Sequence, residues 1–240
     1  MAYLFVSDLH IDSATPQIAD QFIRLLQSQA RAATALYILG DLFEVWVGDD
    51  DQDAERDRVC AALRTFTGHG IPSYALHGNR DFLLGAGFVQ RTGCQVLPDP
   101  VLADLDGTPV LLTHGDFLCT DDTAYQELRS VVREPSWREP FLRLPLTQRI
   151  ALANAARVGS KAHTEATRPQ IMDVNQAAVE KAFQISGASV MIHGHTHRPG
   201  IHKSAVQGRG VTRIVLDSWH EHGNMLWWEQ GQIELRDLPR

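Results

Sequence analysis

A chain of 240 residues is long enough for one sizeable α/β domain with room for an insertion. Its composition, 44% hydrophobic and 21% charged, is ordinary for a soluble globular protein. A net charge of −7 argues against nucleic acid as a partner, and three cysteines at unrelated spacings exclude a disulfide framework or a structural zinc site. Cys60, Cys94 and Cys119 are expected as buried thiols in a reducing cytosol. The first residues, MAYLFVSDLH, carry no basic stretch and meet Asp8 too soon for a secretion signal.

In chain order, residues 3–6 read as a short buried strand leading into Ser7-Asp8-Leu9-His10. If the chain stays extended there, Asp8 and His10 point to one side. Residues 18–33 have the spacing of an amphipathic helix, and residues 35–39 form an apolar run that breaks at Gly40-Asp41. A continuous apolar run suits a strand buried on both faces, and the glycine lets the chain turn so that Asp41 stands at the strand's C-terminal end. That edge is where open α/β sheets bind ligands. The acidic residues Asp49, Asp50 and Asp51 lack the ligand spacing of a calcium loop, so a solvated helix start is expected there. A helix follows over 53–68.

The pattern then repeats. Residues 71–76 end in His77-Gly78-Asn79-Arg80-Asp81, residues 110–113 in His114-Gly115-Asp116, and residues 189–192 in His193-Gly194-His195-Thr196-His197. Between Asp122 and Arg168 no strand is apparent. Pro135, Pro140 and Pro145 punctuate helical spacing, and the segment is net basic in an acidic chain. It reads as a helical cap, about 122–168, inserted in a single domain spanning 1–240. Trp137, Phe141, Leu142, Leu144, Leu146, Ile150 and Leu152 are its candidates for an apolar cleft, with arginines free for phosphate. No candidate metal ligand lies in 135–152, so the cap should be removable without harming the metal site. The β-rich C-terminus, 213–216 and 224–228, is expected to form a second sheet.

Asp8, His10, Asp41, Asn79, His114, His195 and His197 are the candidate metal ligands. Carboxylate, imidazole and amide without thiolate suit ions such as Mn²⁺ or Fe²⁺. Seven groups are too many for one ion with open positions, so two ions sharing Asp41 are expected. One is assigned to Asp8, His10, Asp41 and His197, the other to Asp41, Asn79, His114 and His195. The expected nucleophile is hydroxide held between them. His193 is expected behind the ligands. His69, His163, His202, His220 and His222 match no motif and read as surface or structural.

These blocks, in this order, resemble the calcineurin-like metallophosphoesterases, and the resemblance covers residues 8 to 197. It implies a four-layer α/β/β/α sandwich. Arg80 stands where most relatives have His, a leaving-group acid. YILGDLFEVWVGDDD, HGNRDFLLG, HGDFLCTDD and IMDVNQ further resemble the UDP-2,3-diacylglucosamine pyrophosphohydrolases of lipid A synthesis. That resemblance implies hydrolysis of the nucleotide-lipid to 2,3-diacylglucosamine 1-phosphate and UMP, two Mn²⁺, and peripheral attachment to the cytoplasmic side of the inner membrane. It places substrate contacts at Asn79, Arg80, Asp122, Ser160, Thr164 and His195. Thr167 stands where relatives carry Lys, with Arg168 next to it as a possible replacement. Arg80 is expected on the developing phosphoryl charge or in a salt bridge to Asp81, since a phosphate leaving group needs little protonation.

Overall fold

The computed structural model describes residues 1–166, 171–220 and 223–238, with backbone alone over 161–166. Thr167, Arg168 and His222 lie outside the described residues, as do the side chains of His163 and Thr164. Strand β1 (Ala2–Val6) shows how the fold is built. Ala2, Leu4 and Val6 point into one core, Tyr3 and Phe5 into another. Side chains alternate with period two, so a strand buried on both faces must be apolar throughout. β2 (Ala35–Ile38) repeats this, sending Leu36 and Ile38 one way and Ala35 and Tyr37 the other.

Helix α1 (Pro16–Gln27) buries Ile18, Phe22, Leu25 and Leu26 in the first core. The expected helix over 18–33 is interrupted at Ser28, after which Gln29–Ala32 forms a 3-10 turn. Helix α2 (Ala54–Gly68) starts at Asp53, whose side chain accepts from the N–H groups of Glu55 and Arg56 and so caps the orphan donors of the first turn. β3 (Ser73–Leu76), α3 (Ala86–Thr92) and β4 (Gln95–Leu97) complete a run in which β1, β2, β3 and β4 pair in parallel. Sequence periodicity misses α3 and β4 because both are short.

The second sheet contains β5 (Val101–Leu105), β6 (Thr108–Leu112), β7 (Val190–His193), β8 (Gly200–Val206) and β9 (Arg209–Val215), in the order β5-β6-β7-β9-β8. β10 (Gly223–Glu229) and β11 (Gln232–Leu238) return to the first sheet, whose order is β11-β10-β1-β2-β3-β4. This corrects the expected C-terminal sheet. The last strands are split between the two sheets, and β6 and β7 sit opposite β1–β3 instead of beside them. Trp228 on β10 reaches the core between the sheets, while Trp227 reaches the core under α1 and α2.

Helices α4 (Thr123–Val132), α5 (Pro135–Arg143) and α6 (Leu146–Ala166) lie in the chain between β6 and β7 of the second sheet, and α7 (Gln176–Ser186) packs Val179, Ala182 and Phe183 on the outer face of that sheet. The layers are therefore helices α1–α3, sheet, sheet and α7, an α/β/β/α sandwich. No described helix is long and apolar enough to cross a membrane.

The acidic run after β2 is not the solvated helix start expected. Asp49 accepts from the Trp46 indole and from the N–H groups of Gly85 and Gly87, and buried Asp51 pairs with Arg56 at 2.8 Å. Only Asp50 is exposed, and it pairs with Arg149 of α6. The run fastens α3 and α6 to the loop after β2.

Asp81 makes the tightest link between neighbouring strand ends. It is fully buried and accepts from the N–H groups of Asp41 (3.2 Å), Leu42 (2.8 Å) and Gly78 (2.8 Å). Burial and the nearby Asp41 charge push its carboxyl up to about 6. Replacing it with alanine leaves these donors without an acceptor, at about 1–3 kcal/mol each. Asp81→Ala is therefore expected to lose at least about 3 kcal/mol in urea unfolding, with Asp81→Asn intermediate. An unchanged midpoint for Asp81→Ala would show that the loops after β2 and β3 do not depend on this carboxylate.

Candidate metal centre

The seven candidate ligands stand at the C-terminal ends of strands from both sheets, and close contacts join them in one series. His197 Nε2 lies 3.4 Å from Asp8 Oδ1, which lies 3.8 Å from His10 Nε2. His10 Nε2 and His114 Nε2 are each 3.7 Å from Asp41 Oδ2. The Asn79 amide oxygen is 2.9 Å from His114 Nε2 and 3.0 Å from His195 Nδ1. Facing sheets are what make this possible. Asp8, Asp41 and Asn79 come from one sheet, His114, His195 and His197 from the other.

The backbone at the site is unusual. Asp8, His10, Asp41, His195 and His197 all have φ between 51° and 66°. For residues with a Cβ this left-handed conformation costs roughly 1 kcal/mol or more each. The extended chain expected at Asp8 and His10 is absent. Both residues are in sharp turns, and their convergence comes from turn geometry, not strand alternation.

The neighbouring glycines solve a different problem from the one read in sequence. Gly40 does turn at φ 89°, as expected. Gly78 and Gly194 have no positive φ; they make room. A Cβ on Gly78 would stand 2.0 Å from Asp41 Oδ1, and one on Gly194 would stand 2.0 Å from Asp8 Oδ2. Each carboxylate thereby keeps one oxygen in the protein and one in the site. Asp8 Oδ2 accepts from Ser7 Oγ (2.6 Å) and the His195 N–H (2.8 Å), leaving Oδ1. Asp41 Oδ1 accepts from the Arg80 N–H (2.8 Å), leaving Oδ2 equidistant from His10 and His114.

These groups fit metal ions. Asp8 Oδ1 and His10 Nε2 are buried with no hydrogen-bond partner among the described residues, an expensive state unless a cation joins them. Asp8, His10 and His197 offer donor atoms within 4.8 Å of one another, and so do Asp8, Asp41 and His114. Ring orientation is set from behind. His10 Nδ1 lies 2.7 Å from Glu44, and His114 Nδ1 lies 3.0 Å from the Leu39 carbonyl, so each ring places its proton on Nδ1 and turns Nε2 inward. Burial alone would lower the His114 pKa, but the surrounding carboxylates of Asp41, Asp8, Asp116 and Asp99 raise it to about 9. Burial alone would raise the Asp8 carboxyl, yet His197, His114 and His10 hold it well below the usual carboxylate range. The pocket calls for positive charge.

His193 is not a ligand. Its Nδ1 donates to the Gly194 carbonyl, and its Nε2 accepts from Arg213 at 3.0 Å. His220 is exposed, in keeping with the reading as surface or structural, and its ring also stacks on His10 at 5.2 Å. It arrives on the loop anchored by the Trp219 N–H to the Asp8 carbonyl, and no local motif marks it. Glu44 and Asp116 are further site residues that motif reading passes over. Asp116 accepts from Tyr125 Oη (2.6 Å), Arg129 Nε (2.8 Å) and Arg133 Nη2 (3.3 Å).

Beside the cluster a groove is lined by Asn79, Arg80, Ser160 and Arg157 at its polar end and by Val45, Trp46, Phe82, Leu128, Val132, Trp137 and Phe141 along its apolar walls. Of the apolar residues expected in the cleft, only Trp137 and Phe141 line it. Leu144 packs on the core, and Leu142, Ile150 and Leu152 face outward. The arginines are not free as expected. Arg129 and Arg133 pair with Asp116, buried Arg149 donates to the Val47 and Leu144 carbonyls, and Arg157 pairs with Glu44 at 3.0 Å. Arg80 makes no bridge to Asp81, whose oxygens are spent on backbone N–H groups. Asp122 caps α4 by accepting from the Tyr125 N–H.

The calcineurin-like phosphoesterase family model matches residues 1–199. A Stenotrophomonas maltophilia (strain K279a) protein named UDP-2,3-diacylglucosamine hydrolase is 47% identical over 247 residues, covering 100% of both chains. One of the same name from Xanthomonas campestris pv. campestris (strain 8004) is 45% identical over 99% of both. A solved archaeal phosphodiesterase superposes with a TM-score of 0.53 at 13% identity, covering 99% of this chain and 100% of that one, a likeness of fold alone. With a full-length match to named hydrolases and a ligand cluster built at facing sheet ends, this chain belongs to the calcineurin-like phosphoesterase family and is a hydrolase.

Proposed function

We propose that this chain hydrolyses the pyrophosphate bond of UDP-2,3-diacylglucosamine, releasing UMP and 2,3-diacylglucosamine 1-phosphate. The observation that carries the reading is the groove. An apolar channel ends at Asn79 and Arg80, which border the ligand cluster, so an acyl chain and a phosphate of one molecule can be held together. The names of the full-length relatives support the same substrate. The chain is read as one domain whose helical cap, about 122–168, supplies one wall of that groove.

Asp8, His10, Asp41 and His197 would hold one ion, and Asp41, Asn79, His114 and His195 the other, with Asp41 common to both sets. Two Mn²⁺ are the ions proposed, since the donors are imidazole, carboxylate and one amide with no thiolate. When bound, such a pair lowers the pKa of water and neutralises phosphoryl charge. The chain's own residues do the rest. Ser7 and the His195 N–H hold the Asp8 carboxylate, and the Arg80 N–H holds Asp41. Glu44 orients His10. Asn79, His195 and Ser160 are proposed as substrate contacts, together with Asp122 and Thr164.

Arg80 is assigned to the departing phosphate. Among the described residues it has no carboxylate within 4.0 Å, so its guanidinium is available to phosphoryl oxygens. A phosphate monoester has a second pKa near 6 and leaves without a proton donor. Spread positive charge is then more useful than an acid. Peripheral attachment to the cytoplasmic face of the inner membrane is also proposed. Leu128, Val131, Leu142, Ile150, Leu152 and Val158 are exposed on α4–α6, the helices that also line the groove.

The first test is incubation of the purified chain with the UDP-lipid and Mn²⁺. UMP should appear, and Asp41→Asn should reduce its rate by about a thousandfold or more while the protein stays folded. Retention of more than a tenth of the activity would refute a shared Asp41. Arg80→Ala should lower the turnover number by about a hundredfold with little change in Mn²⁺ dependence. A raised Michaelis constant with normal turnover would instead make Arg80 a binding residue. The side of cleavage is the third test. With the acyl chains in the groove, water adds to the uridine-linked phosphorus and the sugar phosphate departs towards Arg80. Hydrolysis in oxygen-18 water should therefore label UMP. Label in the sugar phosphate would reverse the pose.

A further inference from the structure

Resting on the ligand set above, we propose that Arg133 is a positioning residue for Asn79. Arg133 is the C-cap residue of α4, outside every ligand-bearing loop. Its Nη2 donates to the Gly78 carbonyl at 2.9 Å and lies 3.3 Å from Asp116 Oδ2. It therefore ties together the loop after β3, from the first sheet, and the loop after β6, from the second. Its guanidinium carbon sits 5.5 Å from the centre of the Phe82 ring, which supports the side chain along its length.

The Gly78 carbonyl belongs to the peptide unit that leads into Asn79. The Gly78 N–H is already held by Asp81 at 2.8 Å, and the side of Gly78 is closed by the Asp41 carboxylate. With the carbonyl also fixed, the peptide plane cannot rotate. The Asn79 amide oxygen is then aimed between His114 Nε2 and His195 Nδ1. Asn79 is the one amide among the candidate ligands and carries no charge, so correct aim matters more for it than for a carboxylate, which attracts an ion from any approach. Groups behind a ligand commonly change metal affinity by about 10–100-fold.

Arg129 supplies an internal control. It contacts the same carboxylate, with Nε 2.8 Å from Asp116 and Nη2 3.5 Å from Asp99, but it makes no hydrogen bond to Gly78. If neutralising Asp116 were the whole effect, the two arginines would be equivalent. Lysine at 133 would keep the charge, but its side chain ends one bond short of Nη2 and should not hold the Gly78 carbonyl as well as Asp116.

The experiment is Mn²⁺ titration of the substrate-free protein by calorimetry, with electron paramagnetic resonance to report the spin-coupled pair. Omitting substrate matters, because Arg133 also lines the groove. Wild type should take up two ions. Arg133→Met should bind one of them about tenfold or more weakly and lose the coupled signal at two equivalents. Arg133→Lys should recover little of that loss, and Arg129→Met should change affinity less than about threefold. Wild-type affinity in Arg133→Met, equal losses in Arg129→Met, or full recovery in Arg133→Lys would each overturn the proposal. If Arg133→Met does not fold, the Arg133→Lys and Arg129→Met comparison decides. A wild type that takes up fewer than two ions would refute the ligand assignment itself, separately from the role of Arg133.

Discussion

Buried negative charge is the constraint around which this molecule is arranged. Asp8, Asp41, Asp81 and Asp116 are each at most 2% exposed, and all lie where the two sheets meet. A carboxylate taken out of water costs several kcal/mol unless partners replace the solvent. The four find three different solutions. Asp81 takes backbone N–H groups, Asp116 takes two arginines and a tyrosine hydroxyl, and Asp8 and Asp41 divide their oxygens between protein donors and the site. The close-packed glycines and the left-handed turns both follow from this. Only with Cβ atoms absent at Gly78 and Gly194 can the carboxylates approach the opposite loop.

The strand ends were legible in the sequence because chemistry and periodicity coincide there. An apolar run buried on both faces has few polar interruptions, so Asp41, Asn79 and His114 stand out among the first polar residues after each run. Partners that act from other elements have no such signature. Glu44 lies in an irregular loop, Asp116 looks like a turn residue, and His220 depends on a loop returning from the second sheet to Asp8. The split of the C-terminal strands was hidden for a similar reason. β9 and β10 are equally apolar, and nothing local says that one pairs with β7 and the other with β1. Acidic runs mislead in the other direction, since Asp49 and Asp51 look solvated until their donors on α3 and α2 are known.

The helical segment illustrates the same limit. Its sequence contains no candidate ligand between 135 and 152, and that suggests a detachable cap. Arg149 lies in that span, is 2% exposed, and donates to the Val47 carbonyl after β2. Phe141 is part of the core cluster that includes Trp46, and Trp137 packs against that cluster. Arg157, just beyond, holds Glu44, which in turn orients His10. Deleting the segment would therefore remove supports of the site together with the groove. Groove and ligand cluster are one construction, in which the helices that line the groove with apolar side chains also send Arg133 and Arg149 onto the loops after β3 and β2.

That construction also sets the charge that the site calls for. His10 and His114 both have raised pKa values despite burial, and both stand 3.7 Å from Asp41 Oδ2. Glu44 and the Leu39 carbonyl engage the two Nδ1 atoms, so the nitrogen that each ring turns towards Asp41 is Nε2. The same carboxylates that make the site costly to bury are what make it a place for positive charge.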